Sequence, residues 1–210
     1  MDIKTLVLGD YETNCFCVRA DDSAKDCVII DAGISPEPML EYLEENSLNP
    51  VAVILTHTHI DHIFGLKDLR KSYPDMKIVA HEDDAEGLTD PMKNLSAMMG
   101  MSFTADPADQ FVINGDTVNF AGVELTVIHT HGHTPGGMSL YAKDGGILFA
   151  GDTLFDSSIG RTDFPGGSTE TLISSIRTKL LNLPDETIVY TGHGPETTIE
   201  REKQHNPFLK

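Results

Sequence analysis

Apolar residues in this chain of 210 residues fall into short blocks whose period changes along the sequence. Strand-like runs rich in β-branched residues occupy 2–8, 14–19 and 26–30. The segment PEPMLEYLEEN (36–46) shifts to helical spacing, VAVIL (51–55) reads as a buried strand, about 61–72 as a helix and 77–80 as a further strand. The strand pattern returns near 110–113, 117–120, 123–129, 138–142 and 146–150, then gives way to a helix at 168–181, a strand at 186–190 and a terminal helix near 196–204. Strands followed by helix thus occur twice, an order that two sheets packed on each other with helices outside would satisfy. Prolines and glycines are spread through the loops rather than gathered in a linker, and neither a repeat nor a low-complexity stretch is present. Residues 1–210 are therefore expected to form one domain. Between the halves, 88–108 carries two prolines and four methionines without clear period, which suggests a flexible, partly apolar flap.

Composition narrows the possible partners. Forty per cent hydrophobic residues suffice for a sizeable core, while 15 basic against 33 acidic residues leave a formal charge of -18. Such a charge repels phosphate backbones and anionic lipid headgroups, so neither nucleic acid nor a membrane is an expected partner. The N-terminal MDIKTLVLGDYETN has no basic region followed by an apolar one, and no apolar run reaches the roughly 20 residues that span a bilayer. A cytoplasmic location is the expectation. Cys15, Cys17 and Cys27 form no CxxC pair, Cys15 and Cys17 share one face of the strand NCFCV, and all three read as buried thiols.

Candidate chemistry gathers after the strands. THTHIDH (56–62), directly behind VAVIL, places three histidines and an aspartate within seven residues. A histidine pair at i, i+2 in an irregular turn can converge on one cation, and the adjacent Asp61 and His62 point elsewhere, toward a second. Three further strand ends carry ligand types: THGHTPGG (130–137) follows 123–129, GDTLF (151–155) follows 146–150, and TGHGPE (191–196) follows 186–190. Glycines beside His133, Asp152 and His193 let the backbone turn sharply there. His129 reads as the buried end of a strand, and His81 and His205, outside every motif, as surface or capping residues.

In this order, THTHIDH, GHTPGG, GDTLF and GHG resemble the signature of the metallo-β-lactamase fold superfamily, over essentially the whole chain. The resemblance implies an α/β fold, the αββα sandwich, with two mixed sheets and a site at one edge. It also implies that His57, His59 and His133 hold one metal, that Asp61, His62 and His193 hold another, and that Asp152 bridges them. His131 stands where relatives often carry proline. Two divalent ions are the implied cofactors, most readily zinc, with iron or manganese possible, since imidazoles and carboxylates suit all three. Such a pair lowers the pKa of a shared water far enough to supply hydroxide at neutral pH. Asp152 and Asp61 then carry the catalytic roles, Asp152 by holding both ions and Asp61 by accepting or orienting the water's proton.

Several branches of the superfamily fit poorly. Its β-lactamases usually have cysteine or another residue where Asp152 stands and are exported, its nucleases must hold polyanions, and its diiron flavoproteins replace the histidine at 59 with glutamate. Thioester and persulfide chemistry remain. IGRTDFPGG (159–167) and GPETTIEREKQHNPF (194–208) resemble the short bacterial relatives of glyoxalase II, the hydroxyacylglutathione hydrolases. In the first, Arg161 could fix Asp163 or a substrate carboxylate and Phe164 could pack on the acyl or thiol portion; equally, the loop could cap the helix at 168–181. Full-length glyoxalase II adds a helical domain that grips glutathione, beginning about where this sequence stops, so the thiol carrier stays open. The expected function is dinuclear metal-dependent hydrolysis of a small-molecule thioester such as S-lactoylglutathione, with a mononuclear iron persulfide dioxygenase as the alternative.

Overall fold

A computed structural model describes residues 1–210. The first sheet runs, in spatial as in chain order, β1 (Asp2–Leu8), β2 (Thr13–Arg19), β3 (Asp26–Ile30), β4 (Asn49–Ile54), β5 (Lys77–His81) and β6 (Gln110–Val112). Hairpin-linked β1, β2 and β3 are antiparallel, and β3 through β6 are parallel. Parallel neighbours need crossovers, supplied by α1 (Glu37–Glu45) before β4 and by α2 (Ile60–Ile63) and α3 (Leu66–Ser72) before β5. In the second half come β7 (Thr117–Phe120), β8 (Val123–His129), β9 (Met138–Ala142), β10 (Ile147–Gly151), a small hairpin of β11 (Leu154–Phe155) and β12 (Ser158–Ile159), α4 (Thr169–Ser175), β13 (Ile188–Thr191), β14 (Thr197–Thr198) and α5 (Ile199–His205). The second sheet is ordered β14-β13-β10-β9-β8-β7, with β10 and β13 parallel across α4 and its neighbours antiparallel.

Alternation along the central strands sorts their side chains into two cores. From β3, β4 and β5, Val28, Ile30, Ile54 and Val79 meet Val127, Leu140 and Phe149 of the facing sheet. The intervening Cys27, Ile29, Val53 and Ile78 meet Met39 and Leu43 of α1 and Leu66 and Leu69 of α3. On the far side, Leu148, Ala150 and Val189 pack on Leu172, Ile176, Leu180 and Ile199. The layers are helix, sheet, sheet, helix, the αββα sandwich. A strand apolar on both faces reads as a continuous run, as VAVIL does. A one-residue slip would exchange its two cores, so register is tightly set. Cys15, Cys17 and Cys27 are buried free thiols, with Cys15 and Cys17 in the same outer core.

Five readings of the pattern differ from the structure. The expected helix at 61–72 is broken between α2 and α3. Gly65 donates its N–H to Ala32 O (2.9 Å) and His62 O accepts from Ala32 N (2.8 Å), so β3's exit loop takes backbone groups that a continuous helix would use. The helix expected near 196–204 starts at Ile199, because Thr197 and Thr198 pair with β13 and the Thr198 hydroxyl caps Arg201 N. Residues 88–108 are an anchored loop rather than a loose flap. Asn94 is 0% exposed and donates to the carbonyls of Gly87 (2.8 Å) and Phe103 (3.0 Å), while its own carbonyl accepts from Ile60 N (2.9 Å). Leu88, Phe103 and Ala105 join the outer core, while Met92, Met98, Met99 and Met101 are the large apolar side chains of this loop that stay exposed. His81, expected at the surface, is buried and stacks on His129 at 4.0 Å between ring centroids. His129 itself is only half-buried at the end of β8, and His205 is exposed.

The helix break gives a test of the packing. A Cβ at Gly65 would lie 2.8 Å from Gly33 O and 2.9 Å from Pro36 Cβ. Gly65→Ala is therefore expected to lose about 1–3 kcal/mol in denaturant unfolding with an unchanged m-value, the cost of overpacking a fixed backbone contact.

Candidate metal centre

Every expected site residue lies where the two sheets are joined along one edge. Asn14 at the start of β2 donates through its backbone N–H to Gly192 O (2.8 Å) and through its side chain to Thr191 O and Gly194 O (2.9 Å each). Met138 N donates to Thr56 O (2.9 Å), and Thr13 bridges to His193. These bonds bring the loops after β4, β8, β10 and β13 to one place. His57, His59, Asp61 and His62 come from the first, His133 from the second, Asp152 from the third and His193 from the fourth.

The ligand atoms converge as three overlapping trios, His57/His59/His133, His57/His62/Asp152 and Asp61/His62/His193, each with its atoms within 4.8 Å of one another. His133 Nε2 lies 2.9 Å from His59 Nδ1, and His62 Nε2 lies 3.3 Å from His193 Nε2. Asp152 stands between the groups: Oδ1 is 3.4 Å from His62 Nε2, whereas Oδ2 is 3.6 Å from His133 Nε2 and 3.5 Å from His193 Nε2. Asp61 Oδ2 lies 3.3 Å from His193 Nε2 and 3.5 Å from His62 Nε2.

On four of the five imidazoles, His57, His62, His133 and His193, the nitrogen facing away from the site has a hydrogen-bond partner that fixes the ring. His133 Nδ1 donates to Arg161 O (2.7 Å), His193 Nδ1 to Tyr11 O (2.9 Å) and His62 Nδ1 to Asp31 Oδ2 (2.9 Å). Asp31 also accepts from Thr56 N (2.8 Å) and the Thr56 hydroxyl (2.7 Å), and Thr56 Oγ1 in turn lies 3.2 Å from His57 Nδ1. Such partners set ring orientation, leaving Nε2 of His57, His62, His133 and His193 facing into the site.

Whether these residues suit a metal can be judged from what they lack. His57 Nε2 and Asp152 Oδ1 are buried with no hydrogen-bond partner, an arrangement that native proteins rarely tolerate without a ligand. Burial, together with neighbouring imidazoles, holds His57 neutral well below the usual histidine range and pushes His59 down to about 3. Burial also works against charge on Asp61, His62, Asp152 and His193, yet their mutual attraction wins. His62 keeps Asp61 and Asp152 ionised, while Asp61 and Asp152 raise His62 well above its usual value and His193 to about 10. The two carboxylates thus draw two protons onto imidazoles, and divalent cations would displace those protons. The donor set, imidazole and carboxylate with no thiolate, fits zinc, iron or manganese.

Beside these groups opens a cleft of about 590 Å³ lined by Tyr11, Leu95, Met98, Met99, Phe155, Ile159, Arg161 and Phe164 together with His59, Asp61, His133, Asp152 and His193. Arg161 and Phe164 do reach the cleft. The Arg161 guanidinium is paired with Asp163 and lies over the Phe164 ring, which meets His59 edge-on at 5.8 Å. Sequence reasoning missed Asp31, Tyr11, Thr56 and the β11–β12 hairpin that carries Phe155 and Ile159. Asp31 had a usable signal, a lone carboxylate directly behind the buried run CVII, the same strand-end position that marked the other ligands.

Comparison with known proteins accords with this geometry. The Metallo-beta-lactamase superfamily domain matches residues 8–193. "Probable metallo-hydrolase YqgX" of Bacillus subtilis is 39% identical over 100% of this chain and 98% of its own length. "Hydroxyacylglutathione hydrolase GloC" of Haemophilus influenzae is 36% identical with the same coverage. Among solved structures, BLEG-1 B3 metallo-beta-lactamase superposes with a TM-score of 0.94 at 38% identity over the full length of both chains. TTHA1623 in a di-iron-bound form does so at 0.85 and 33% identity, over 98% of this chain and 100% of that one. On the matched domain, the whole-length relatives and the shared architecture, the chain belongs to the metallo-β-lactamase superfamily.

Proposed function

We propose that this chain hydrolyses small-molecule thioesters at a two-metal centre held by His57, His59 and His133 on one side, Asp61, His62 and His193 on the other, and Asp152 between them. Membership of the superfamily, whole-length relatives named as hydrolases and a His/Asp cluster able to bind metal ions make it a metal-dependent hydrolase. The observation that supports the two-metal reading is Asp152, whose carboxylate reaches both groups, Oδ1 toward His62 and Oδ2 toward both His133 and His193. A mononuclear iron persulfide dioxygenase would leave Asp61, His62 and His193 converging on nothing. The GloC name, at 36% identity, supports a thioester as the substrate.

Two divalent ions bound there would supply a hydroxide nucleophile at neutral pH and an electrophilic partner for the thioester carbonyl. Asp61, with Thr13 Oγ1 at 3.4 Å, is placed to accept or orient the proton of the attacking water. Phe155, Ile159, Phe164, Met98 and Met99 form an apolar wall that holds the acyl or thiol portion and excludes bulk water. The three cysteines are buried and none lines the cleft, so no thiol nucleophile competes. Zinc is the proposed metal. Iron is its main rival because a 33% identical relative is described in di-iron form, and manganese suits the same donors. A second reading, β-lactam hydrolysis, is favoured by BLEG-1, since a full-length match at 38% identity does not separate the two activities.

Measuring bound metal, thiol release from S-lactoylglutathione or a simpler thioester, β-lactam hydrolysis and oxygen uptake with glutathione persulfide side by side tests the proposal. About two ions per chain and thiol release are expected. One iron with oxygen uptake, or β-lactam turnover without thiol release, would replace it. His193→Ala should remove about one ion and cost roughly two to three decades in rate, and Asp152→Ala should abolish hydrolysis and leave about one ion or less. Asp31→Asn, which weakens the bond orienting His62, should lower metal affinity about 10- to 100-fold with the fold retained by circular dichroism. Because 88–108 is anchored by Asn94, the apolar wall is best tested by Met98→Ala with Met99→Ala. KM should rise about three- to tenfold at unchanged metal content, and an unchanged KM would remove these methionines from the substrate site.

A further inference from the structure

Arg161 is the one lysine or arginine that lines the cleft, and its charge is already matched. Its Nε and Nη2 each donate to Asp163, at 2.8 Å to Oδ1 and 2.8 Å to Oδ2, which uses the side of the guanidinium fork that binds carboxylates in pairs. The guanidinium also lies over the Phe164 ring, 3.9 Å from its centroid. The loop bearing these residues is braced: Arg161 O accepts from His133 Nδ1, Gly167 N donates to Phe164 O (2.9 Å), and the Thr162 and Thr169 hydroxyls meet at 2.5 Å. Asp163 is held down at about 2 by its bonds from Arg161, so it remains ionised at neutral pH and the pair is neutral as a unit. Beside the metal-binding residues the cleft thus presents an uncharged surface of Phe164, Phe155, Ile159, Met98 and Met99.

Glutathione carries two carboxylates and one ammonium, and this cleft offers its carboxylates no lysine or arginine that is not already paired. We propose that Asp163 is a specificity-determining residue: by occupying Arg161 it leaves the thiol half of the substrate to be recognised without charge, favouring thioesters of neutral, apolar-armed thiols over those of anionic carriers. This rests on the thioester reading of the cleft. Asp163 touches no ligand atom of the metal centre, so changing it alters the charge of the wall and leaves the metal-binding residues in place. The pair is more than half exposed on both sides, 58% and 67%, so water competes for both groups and the effect of releasing Arg161 is modest.

The test uses metal-loaded protein and two thioethers that lack a scissile carbonyl, S-hexylglutathione and S-hexyl-N-acetylcysteamine, titrated calorimetrically, with the matching acetyl thioesters assayed for thiol release. Wild type is expected to bind the neutral thioether at least as tightly as the anionic one. Asp163→Asn should tighten S-hexylglutathione about three- to fivefold, leave the neutral ligand unchanged, and lose the gain when combined with Arg161→Gln. The proposal is overturned by a tenfold wild-type preference for S-hexylglutathione, by an Asp163→Asn variant with unaltered affinities, or by a gain that persists in the double variant and so reports only net charge. If affinities move as expected while neither thioester is cleaved, the role of Asp163 stands and the hydrolase reading falls.

Discussion

A buried carboxylate governs this site. Asp31 is 1% exposed at the end of β3, where it adopts φ +60, a conformation that costs a non-glycine residue energy. Burying it unpaired would be prohibitive. Three donors offset that cost, and they come from the two ends of one loop: the N–H and hydroxyl of Thr56 at its start and Nδ1 of His62 at its end. One side chain thereby fixes the span that carries four of the seven proposed ligands. It also sets the hydroxyl against which His57 Nδ1 rests. The other ligands arrive on separate strands, and their placement follows from the backbone bonds that join the sheets at Asn14, Thr56 and Met138.

What was legible in the sequence is what is local. THTHIDH, GHTPGG, GDTLF and GHG are contiguous stretches behind apolar runs, so strand ends and ligand types could be read together, and the order of strands followed by helix, occurring twice, marked two packed sheets. Asp31 shared the strand-end position of the ligands, but its role as their hydrogen-bond acceptor was not legible, because its partners Thr56 and His62 lie about 25 and 31 residues downstream. The uninterrupted apolar period from 61 to 72 hid the break at Gly65, since the bonds that cause it come from Ala32, about thirty residues upstream. Methionine and proline in 88–108 suggested looseness, whereas the anchoring is done by the amide of Asn94, whose burial no local pattern announces. His81 followed the same rule: its acidic neighbours Glu82, Asp83 and Asp84 look exposed, and the His129 ring that covers it is supplied by the other sheet.

Charge is distributed unevenly between exterior and site. A chain of formal charge -18 repels anions at a distance and attracts divalent cations, while within the site carboxylates and imidazoles balance closely. In the protein alone that balance is kept by protons on His62 and His193. Metal uptake is then an exchange in which divalent cations replace those protons on imidazoles whose orientation is already set, which limits how far the surrounding hydrogen bonds must rearrange.

Arg161 contributes to the molecule twice, through chemically separate parts. Its carbonyl oxygen holds His133 in orientation, and its guanidinium belongs to the wall against which a substrate would lie. A main-chain acceptor is present whatever residue occupies the position. Mutation at 161 can therefore explore new ligands while the imidazole next to it keeps its hydrogen bond, provided the loop's path is preserved. A scaffold arranged in this way separates the evolution of selectivity from the maintenance of reactivity, at a residue only one carbonyl away from the reacting centre.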